Sequence, residues 1–592
     1  MCGVLAVFGK RGAVDVEGCD AALLVMSRRG PDRTAASVFL DNRLYLGQTV
    51  LSITGDSSAP EPTSGRYEIL FNGEIYNHAR LYDEILRPRG FSRNGGTDTE
   101  VLTKLHSVLS PAEVYGRLSG MFAYVAYDRA EGALLVGRDT VGEKPLYRYE
   151  DERTLIFSSE IGPILRLVPD LRMDRDVLRE YFFTRHLLTS ERTVWKNTTL
   201  VPPGQLRKYD LHDLRHRPTL CVRSLSSLVD PRRIEDNKRA SRETLTEELH
   251  AACREAAIDL CPGLDYASVV SGGVDSSLAS WFMGENENKP ELVALQFPGK
   301  DLPSADESLR DFEWEMQRPV YAIKVTEQRY RDRLDFCYQV ACSPLPTHSY
   351  VSQAILAELV RDLGLRVLVL GEGADELFGG YEAYRSFRSL AETTEVPALN
   401  PSVYSGFSPC GLEFEGWQPE ALRIRQAGQW RSALDHYRHE KSPFERTVQA
   451  ALLLDATEQL QSVGIRSADQ MSMAYSVEAR SFYLHDALVR FALSLPARHK
   501  LDWAATDSRF VTKPLLKRLF ARKFGAGLIR EKNGFSGWPN EAGHVLVGSD
   551  YRMVREVLGP FKLSFISQRQ WRAAEWKMAN VSLFLRRFED YA

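Results

Sequence analysis

The sequence predicts two domains of different class: an α+β layered domain, then an α/β domain built on a parallel sheet. Three observations carry this. At 592 residues the chain is far longer than one hydrophobic core can serve, so at least two large domains are expected. Up to position 210 the apolar segments are short and punctuated by Gly, Asn and Asp, as in antiparallel sheets. From position 243 apolar strands alternate with helical patterns, as in a buried parallel sheet wrapped by helices.

In the first part the strand segments are VLAVFG (4–9), SVFLDNRLYLGQTVLSI (37–53), YEILFNGEIY (67–76), MFAYVAYD (121–128), ALLVGRD (133–139) and TLIFSSE (154–160). Helical patterns fall near 16–28, 78–88 and 98–109. A polar, charged and weakly periodic stretch at 211–242 reads as a surface linker between domains at 2–210 and 243–592. Beyond it come YASVV (266–270), ELVALQF (291–297), VYAIKV (320–325) and LRVLVLG (365–371), and after 385 the chain reads mainly helical. Nucleotides bind at the C-terminal ends of such parallel strands.

Composition narrows the function classes. A net charge of −4 with 26% charged residues gives no electrostatic case for nucleic acid. No segment approaches the roughly 18–20 apolar residues that span a bilayer, and the N-terminus lacks a signal-peptide pattern, so no membrane partner is expected. The eight cysteines show no CxxC pairing, which suggests neither a zinc site nor a disulfide framework. A reducing, cytoplasmic setting fits.

The chemistry-bearing residues fall into two groups. Cys2 follows the initiator Met, whose removal would leave a thiol beside a free α-amine able to accept its proton. An isolated cysteine here would more often be a buried small hydrophobe. Its neighbours change that reading, because in NGEIYN (72–77) Asn72 and the backbone of Gly73 could form an oxyanion hole. In GTDTE (96–100), Asp98 taken alone would be a plain helix cap.

The second group begins with SGGVDSS (271–277), directly after a buried strand and before a helix. Gly272 and Gly273 let the backbone close around phosphate, Ser271, Ser276 and Ser277 add hydroxyls, and the helix N-terminus offers free N–H groups. The loop lacks the GK[ST] ending of a Walker loop. In GEGADELFGGY (371–381), Gly371 precedes Glu372, Asp375 and Glu376, acids that would repel one another without a nearby cation. Lys513 and Lys517 in TKPLLK read equally well as added positive potential or as a solvated helix face.

Taken in order, MCG, RRGPD (28–32), LSI (51–53), NGEIYN, DTE and GRDTVGEKPLY (137–147) resemble the glutaminase half of class II glutamine amidotransferases, asparagine synthetases in particular. SGGVDSS resembles the pyrophosphate loop of N-type ATP pyrophosphatases, while GEGADELFGGY, DQMSMAYSVEAR (469–480) and REKNGF (530–535) resemble the synthetase half. The resemblance implies an N-terminal αββα sandwich of the N-terminal nucleophile hydrolase type, followed by an ATP pyrophosphatase domain. It implies that Cys2 attacks a glutamine amide, that Asn72 and Gly73 hold the oxyanion, and that Glu74 and Asp98 hold the donor's α-amino group. It assigns Asp275 and Asp375 to Mg2+, Lys532 to charge neutralisation on ATP, and Glu478 and Arg480 to the acceptor side. Small-molecule substrates, ATP with Mg2+, an acyl-adenylate route and, as is common in the family, a homodimer follow from the same resemblance.

Four departures stand out. Val50 occupies the position of an arginine that pairs with the donor's α-carboxylate in the family, so a group such as Arg29 substitutes for it, glutamine binds weakly, or the donor differs. Another arginine stands where the family has a histidine before RGPD, and Leu370 replaces a serine before GEG. SFYLH (481–485) replaces VPFLD, bringing in Phe482 and His485. Three readings therefore stand: amidation of aspartate, amidation or hydroxamate formation on another carboxylic acid in specialised metabolism, and an inactive binding or regulatory relative.

Overall fold

The computed structural model describes residues 2–53, 65–93, 95–187, 191–297, 309–310, 312–313, 315–390, 395–408, 411–529, 551–564 and 568–592. In the N-terminal part the strands are β1 (Cys2–Gly9), β2 (Arg33–Phe39), β3 (Leu44–Val50), β4 (Tyr67–Ile75), β5 (Gly120–Asp128), β6 (Ala133–Arg138), β7 (Tyr147–Glu150), β8 (Thr154–Ser158), β9 (Thr198–Leu200), β10 (Gln205–Asp210) and β11 (Thr219–Val222). They form two antiparallel sheets, ordered β2-β3-β1-β8-β7-β9 and β11-β10-β6-β5-β4.

Alternation along each strand makes this a four-layer structure. Val4, Ala6 and Phe8 of β1 meet Leu70, Val125 and Val136 of the second sheet in one core. The intervening Leu5 and Val7 face the other way, toward Cys19, Leu23 and Ile164 on helices Val16–Leu24 and Gly162–Leu167. Phe71 and Tyr124 likewise cover the outside of the second sheet, against helices Asp98–Val108 and Pro111–Arg117. The layers are thus helix, sheet, sheet, helix.

The C-terminal part has β12 (Ala267–Val269), β13 (Glu291–Gln296), β14 (Val320–Lys324), β15 (Val367–Leu370), β16 (Leu412–Phe414), β17 (Glu478–Ser481) and β18 (Phe561–Leu563). Five of them make a sheet ordered β14-β13-β12-β15-β17, in which every pairing is parallel. Strands β16 and β18 form a separate antiparallel ribbon.

Two differences from the sequence reading matter. The stretch 211–242 is not a plain surface connection: β11 extends the second sheet beside β10, and helix Pro231–Asn237 buries Ile234 and Asn237, the latter bonded to Ser494. Polar composition hid the elements because only one or two residues in each are inward-facing. EARS (478–481), read only within a motif, is the edge strand β17, too short to show a period.

The halves are joined by buried charge. Arg29 is fully buried and donates to both carboxylate oxygens of Asp469, at 2.8 and 3.2 Å, and to Glu160 at 3.3 Å. Lys144 lies 3.6 Å from the same Asp469 and donates to the Ala479 carbonyl. Removing one partner of such a network leaves an uncompensated buried charge, a loss of about 3–5 kcal/mol.

Candidate active sites

Strand β1 carries Cys2 into the sandwich beside β4, where the Cys2 nitrogen donates to Asn72 Oδ1 at 3.2 Å. Asn72 is fully buried, and its Nδ2 has no hydrogen-bond partner among the described residues. A buried donor left unmade costs about 1–3 kcal/mol, so this N–H is available to a ligand oxygen. Gly73 follows at φ +146°, and a Cβ there would come within 2.0 Å of the Met121 carbonyl oxygen. Only glycine permits this close passage of β4 along β5.

Asp98 is not the cap of its helix. Thr97 accepts from the Glu100 N–H in that role, and Asp98 Oδ2 instead accepts from the Ile75 N–H on β4 at 3.0 Å. This places a buried carboxylate beside the strand that carries Glu74. Burial raises the Asp98 and Glu74 carboxyls above their usual range; for Glu74, Arg480 opposes the shift.

One participant has no signal in the sequence. Gln48 Nε2 donates to Cys2 Sγ at 2.9 Å and to the Phe71 carbonyl at 3.1 Å, while its Oε1 accepts from the Phe71 N–H at 3.2 Å. The two bonds to Phe71 fix the amide's orientation, so the atom facing the sulfur is a donor. A glutamine in an alternating strand looks like any polar residue; only the pairing of β3 with β1 brings it diagonally against Cys2.

In the second half, the turn after β12 opens helix Val274–Met283 at Gly273, which offers no side-chain cap and leaves the first N–H groups to a ligand. Gly272 adopts φ +73°, and Ser271 and Ser276 hydroxyls lie 2.9 Å apart, bracing the loop. Ser277 is buried in the first helical turn. Gly371, at the end of β15, packs against this turn, a Cβ there meeting the Ser276 nitrogen at 3.4 Å.

Lys513 joins the two loops. Its Nζ lies 2.7 and 2.5 Å from the Asp275 oxygens and 2.9 Å from Asp375 Oδ1. It is 4% exposed, so the solvated-face reading fails for it. Its backbone sits at φ +50°, strained for a side-chain-bearing residue, and Gly380 leaves it room, since a Cβ there would lie 2.6 Å from Lys513 Cε and 2.0 Å from Asp375 Oδ1. Lys517 turns inward to Arg509 O and Thr512.

Of the three acids in GEGADE, Glu376 does not share this centre: it accepts from Tyr381 at 2.6 Å, and burial pushes its carboxyl up to about 8. Glu372 lies near Gln353, at 3.5 Å. Asp275 and Asp375 fit Mg2+, a hard cation that takes one or two carboxylates together with phosphate oxygens. Among the described residues no group of three or more potential ligands stands ready to hold a metal.

Three groups singled out from the sequence make buried contacts of their own. Arg480 is fully buried, bonded to Glu74 at 2.5 Å, to Glu478 at 2.7 Å and to the Leu260 carbonyl at 2.9 Å. Glu478 and Arg480 are thus tied through Glu74 to strand β4 of the N-terminal part. The guanidinium of Arg29 is spent on Asp469 and Glu160, so it does not replace the arginine lost at Val50. In SFYLH, Phe482 stacks on Phe282 and His485 is hydrogen-bonded to Asp259 at 3.1 Å. Lys532 lies outside the described residues.

The sequence matches the glutamine amidotransferase domain family over residues 1–218 and the asparagine synthase family over residues 256–548. It is 24% identical over 574 residues to asparagine synthetase [glutamine-hydrolyzing] 1 of Bacillus subtilis, covering 90% of this chain and 85% of the relative. Asparagine synthetase B [glutamine-hydrolyzing] of Escherichia coli is 26% identical over 419 residues, covering 67% of each chain. Amidase chyE of Penicillium rubens is 24% identical, covering 65% of this chain and 58% of the relative. No helix among the described residues is long and apolar enough to cross a membrane. With the Cys2 thiol and the buried Asn72 amide side by side in one half and a Gly- and Ser-rich loop before a helix in the other, the chain belongs to the asparagine synthetase family, as a glutamine amidotransferase joined to an ATP-dependent amidating ligase.

Proposed function

We propose that the chain moves nitrogen from glutamine to the carboxylate of aspartate, in two chemical steps at separate sites. The observation that carries the donor step is the grouping of Cys2, Gln48, Asn72 and Gly73. Cys2 Sγ attacks the donor amide carbon, and its proton passes to the α-amine once Met1 is removed. Asn72 Nδ2 and the Gly73 N–H receive the oxyanion, the carbon–nitrogen bond breaks as the leaving nitrogen gains the proton, and water cleaves the thioester to release glutamate. Glu74 and Asp98 hold the donor's α-ammonium.

In the second half the loop 271–277 receives the triphosphate, while Asp275 and Asp375 would hold Mg2+, which when bound supplies charge neutralisation between phosphates. Lys513 occupies the position between those carboxylates and is the group that must yield or share them when nucleotide enters. Lys532 joins it by resemblance alone. The acceptor carboxylate oxygen attacks the α-phosphorus of ATP and pyrophosphate leaves, giving an acyl adenylate; ammonia crossing between the sites then adds to the acyl carbon, loses a proton and displaces AMP. The division proposed is a glutaminase domain at 2–210 and an adenylating domain at 243–592. A thiol that must stay reduced suits the cytoplasm.

A second reading replaces aspartate with another carboxylic acid. Leu370 before the GEG turn and the relative named an amidase favour it, whereas the SFYLH packing removes one argument for it. The test is AMP release by the purified protein with magnesium ATP and glutamine, aspartate being compared with a panel of carboxylic acids. Aspartate-dependent AMP matched by asparagine supports the first reading. Silence with aspartate and turnover with another acid overturns it.

A further inference from the structure

Edge strands of the two domains meet through one guanidinium. Strand β4 lies at an edge of the second N-terminal sheet, and β17 at an edge of the parallel sheet. Leu70 of β4 sits in the core between the two N-terminal sheets, whereas Phe71 and Ile75 pack on the helix side. Side chains alternate along a strand, so Asn72 and Glu74 share the inner face with Leu70. Asn72 is the residue that meets the Cys2 nitrogen, and Glu74 comes next on that face, near the end of the strand.

On the other domain, Glu478 and Arg480 stand two residues apart on β17, and Arg480 Nε donates to Glu478 Oε1 at 2.7 Å. Arg480 Nη1 donates at 2.9 Å to the carbonyl of Leu260, the last residue of helix Arg242–Leu260. The final carbonyls of a helix have no intrahelical partner and carry partial negative charge, so a cation sits well there. These two bonds come from the arginine's own domain, and together they fix the plane of the guanidinium. Its remaining nitrogen, Nη2, is thereby turned toward the N-terminal domain, where it donates to Glu74 Oε2 at 2.5 Å. Arg480 and Glu478 are fully buried and Glu74 nearly so.

Burial gives this contact its weight. A carboxylate shut away from water stays charged only beside a group that compensates it. Asp98, the other acid at this end, accepts from the N–H groups of Ile75 and Thr99, all within the N-terminal domain. Glu74 differs in being held by a cation from the second domain. A guanidinium is a rigid fork, so it orients its partner as well as neutralising it. Arg480 takes one oxygen of Glu74 and leaves the other for an incoming ammonium.

We propose that Arg480 is a positioning residue of the glutaminase site supplied by the synthetase half, keeping the Glu74 carboxylate charged and aimed at the donor's α-ammonium. The proposal rests on the reading of Cys2 as nucleophile toward glutamine and of Glu74 as a holder of the donor. It makes the donor site complete only where the two domains are docked.

The test is steady-state glutaminase kinetics of the full chain, with AMP formation from ammonia measured on the same preparations. Arg480→Met is expected to raise the KM for glutamine about ten- to a hundredfold, as loss of a charge-assisted contact to the donor does, with kcat kept. Arg480→Lys, which keeps the charge without the fork, falls between, and it serves as the readout if the methionine variant does not fold. In a Glu74→Gln background, Arg480→Met is expected to change the KM no further, because Arg480 acts through Glu74. An unchanged KM in Arg480→Met, or the same fold-change in the Glu74→Gln background as in wild type, overturns the assignment. A fall in ammonia-dependent AMP formation with an unmoved KM for glutamine would place Arg480 on the acceptor side and overturn it as well. Absence of glutaminase activity in wild type would instead overturn the underlying reading of Cys2.

Discussion

The two sites solve opposite problems of charge. The proposed donor site is built on strand ends: the Cys2 thiol and the Gln48 and Asn72 amides are fixed by backbone pairing and buried before any ligand arrives. The second site is built on turns after parallel strands, and its two carboxylates are bridged by the single ammonium of Lys513. Preorganised dipoles do not reorganise during reaction, which suits acyl transfer at the thiol. Acids that must accept a metal and a polyanion need a temporary partner, since two such carboxylates left alone would each lose their charge or repel. One half waits with an unfilled hydrogen bond and the other with a filled ion pair.

Breaking the nucleotide side produces the largest effect. Asp375→Asn removes one of the two acids and should reduce adenylation roughly 10³-fold or more, the scale of losing metal-supported charge stabilisation, while glutaminase activity persists. Retained AMP formation would refute the metal assignment. On the donor side, removing the bare oxyanion donor with Asn72→Ala should lower glutaminase kcat by about 10²–10³. Ammonia-dependent synthesis should be untouched, and a purely structural Asn72 would depress both.

Gln48→Met sharpens the comparison, since it keeps the volume and removes the N–H that faces the sulfur. Glutaminase turnover should fall about tenfold, and alkylation of Cys2 should shift to higher pH, because a donor to sulfur favours the thiolate. An unmoved alkylation profile would reduce Gln48 to packing. The smallest effect concerns Glu376, whose carboxyl is raised from 4.5 to about 8 by burial. The folded state then holds a proton that the unfolded state has released, so this group's stabilisation is present at low pH and is lost as pH climbs through that interval. Glu376→Gln should flatten the fall in Tm of the wild type between about pH 5 and 8, by a few degrees. Equal slopes would contradict it.

Sequence carried the donor site further than the nucleotide site. Cys2, Asn72 and Gly73 were readable because glycine and asparagine at a strand end have few structural uses, and the structure gathers them. Gln48 was not readable, because its contact with Cys2 comes from cross-strand register, which a single strand's pattern does not contain. In the second half the two loops were visible from glycines after apolar strands. Lys513 looked like one lysine among several on a helix; burial and a left-handed backbone single it out, and neither has a compositional trace. The Arg480 ion pair was not readable because a motif gives a residue's neighbours in sequence, whereas its partner Glu74 lies 406 positions away.

The central claim is that one chain holds two separable chemistries, with Cys2 serving only the first. Glutamine-dependent and ammonia-dependent AMP formation, measured on Cys2→Ala beside wild type, tests it most directly. The account predicts loss of the glutamine-dependent rate with the ammonia-dependent rate intact. Loss of both, or survival of the glutamine-dependent rate, would contradict it.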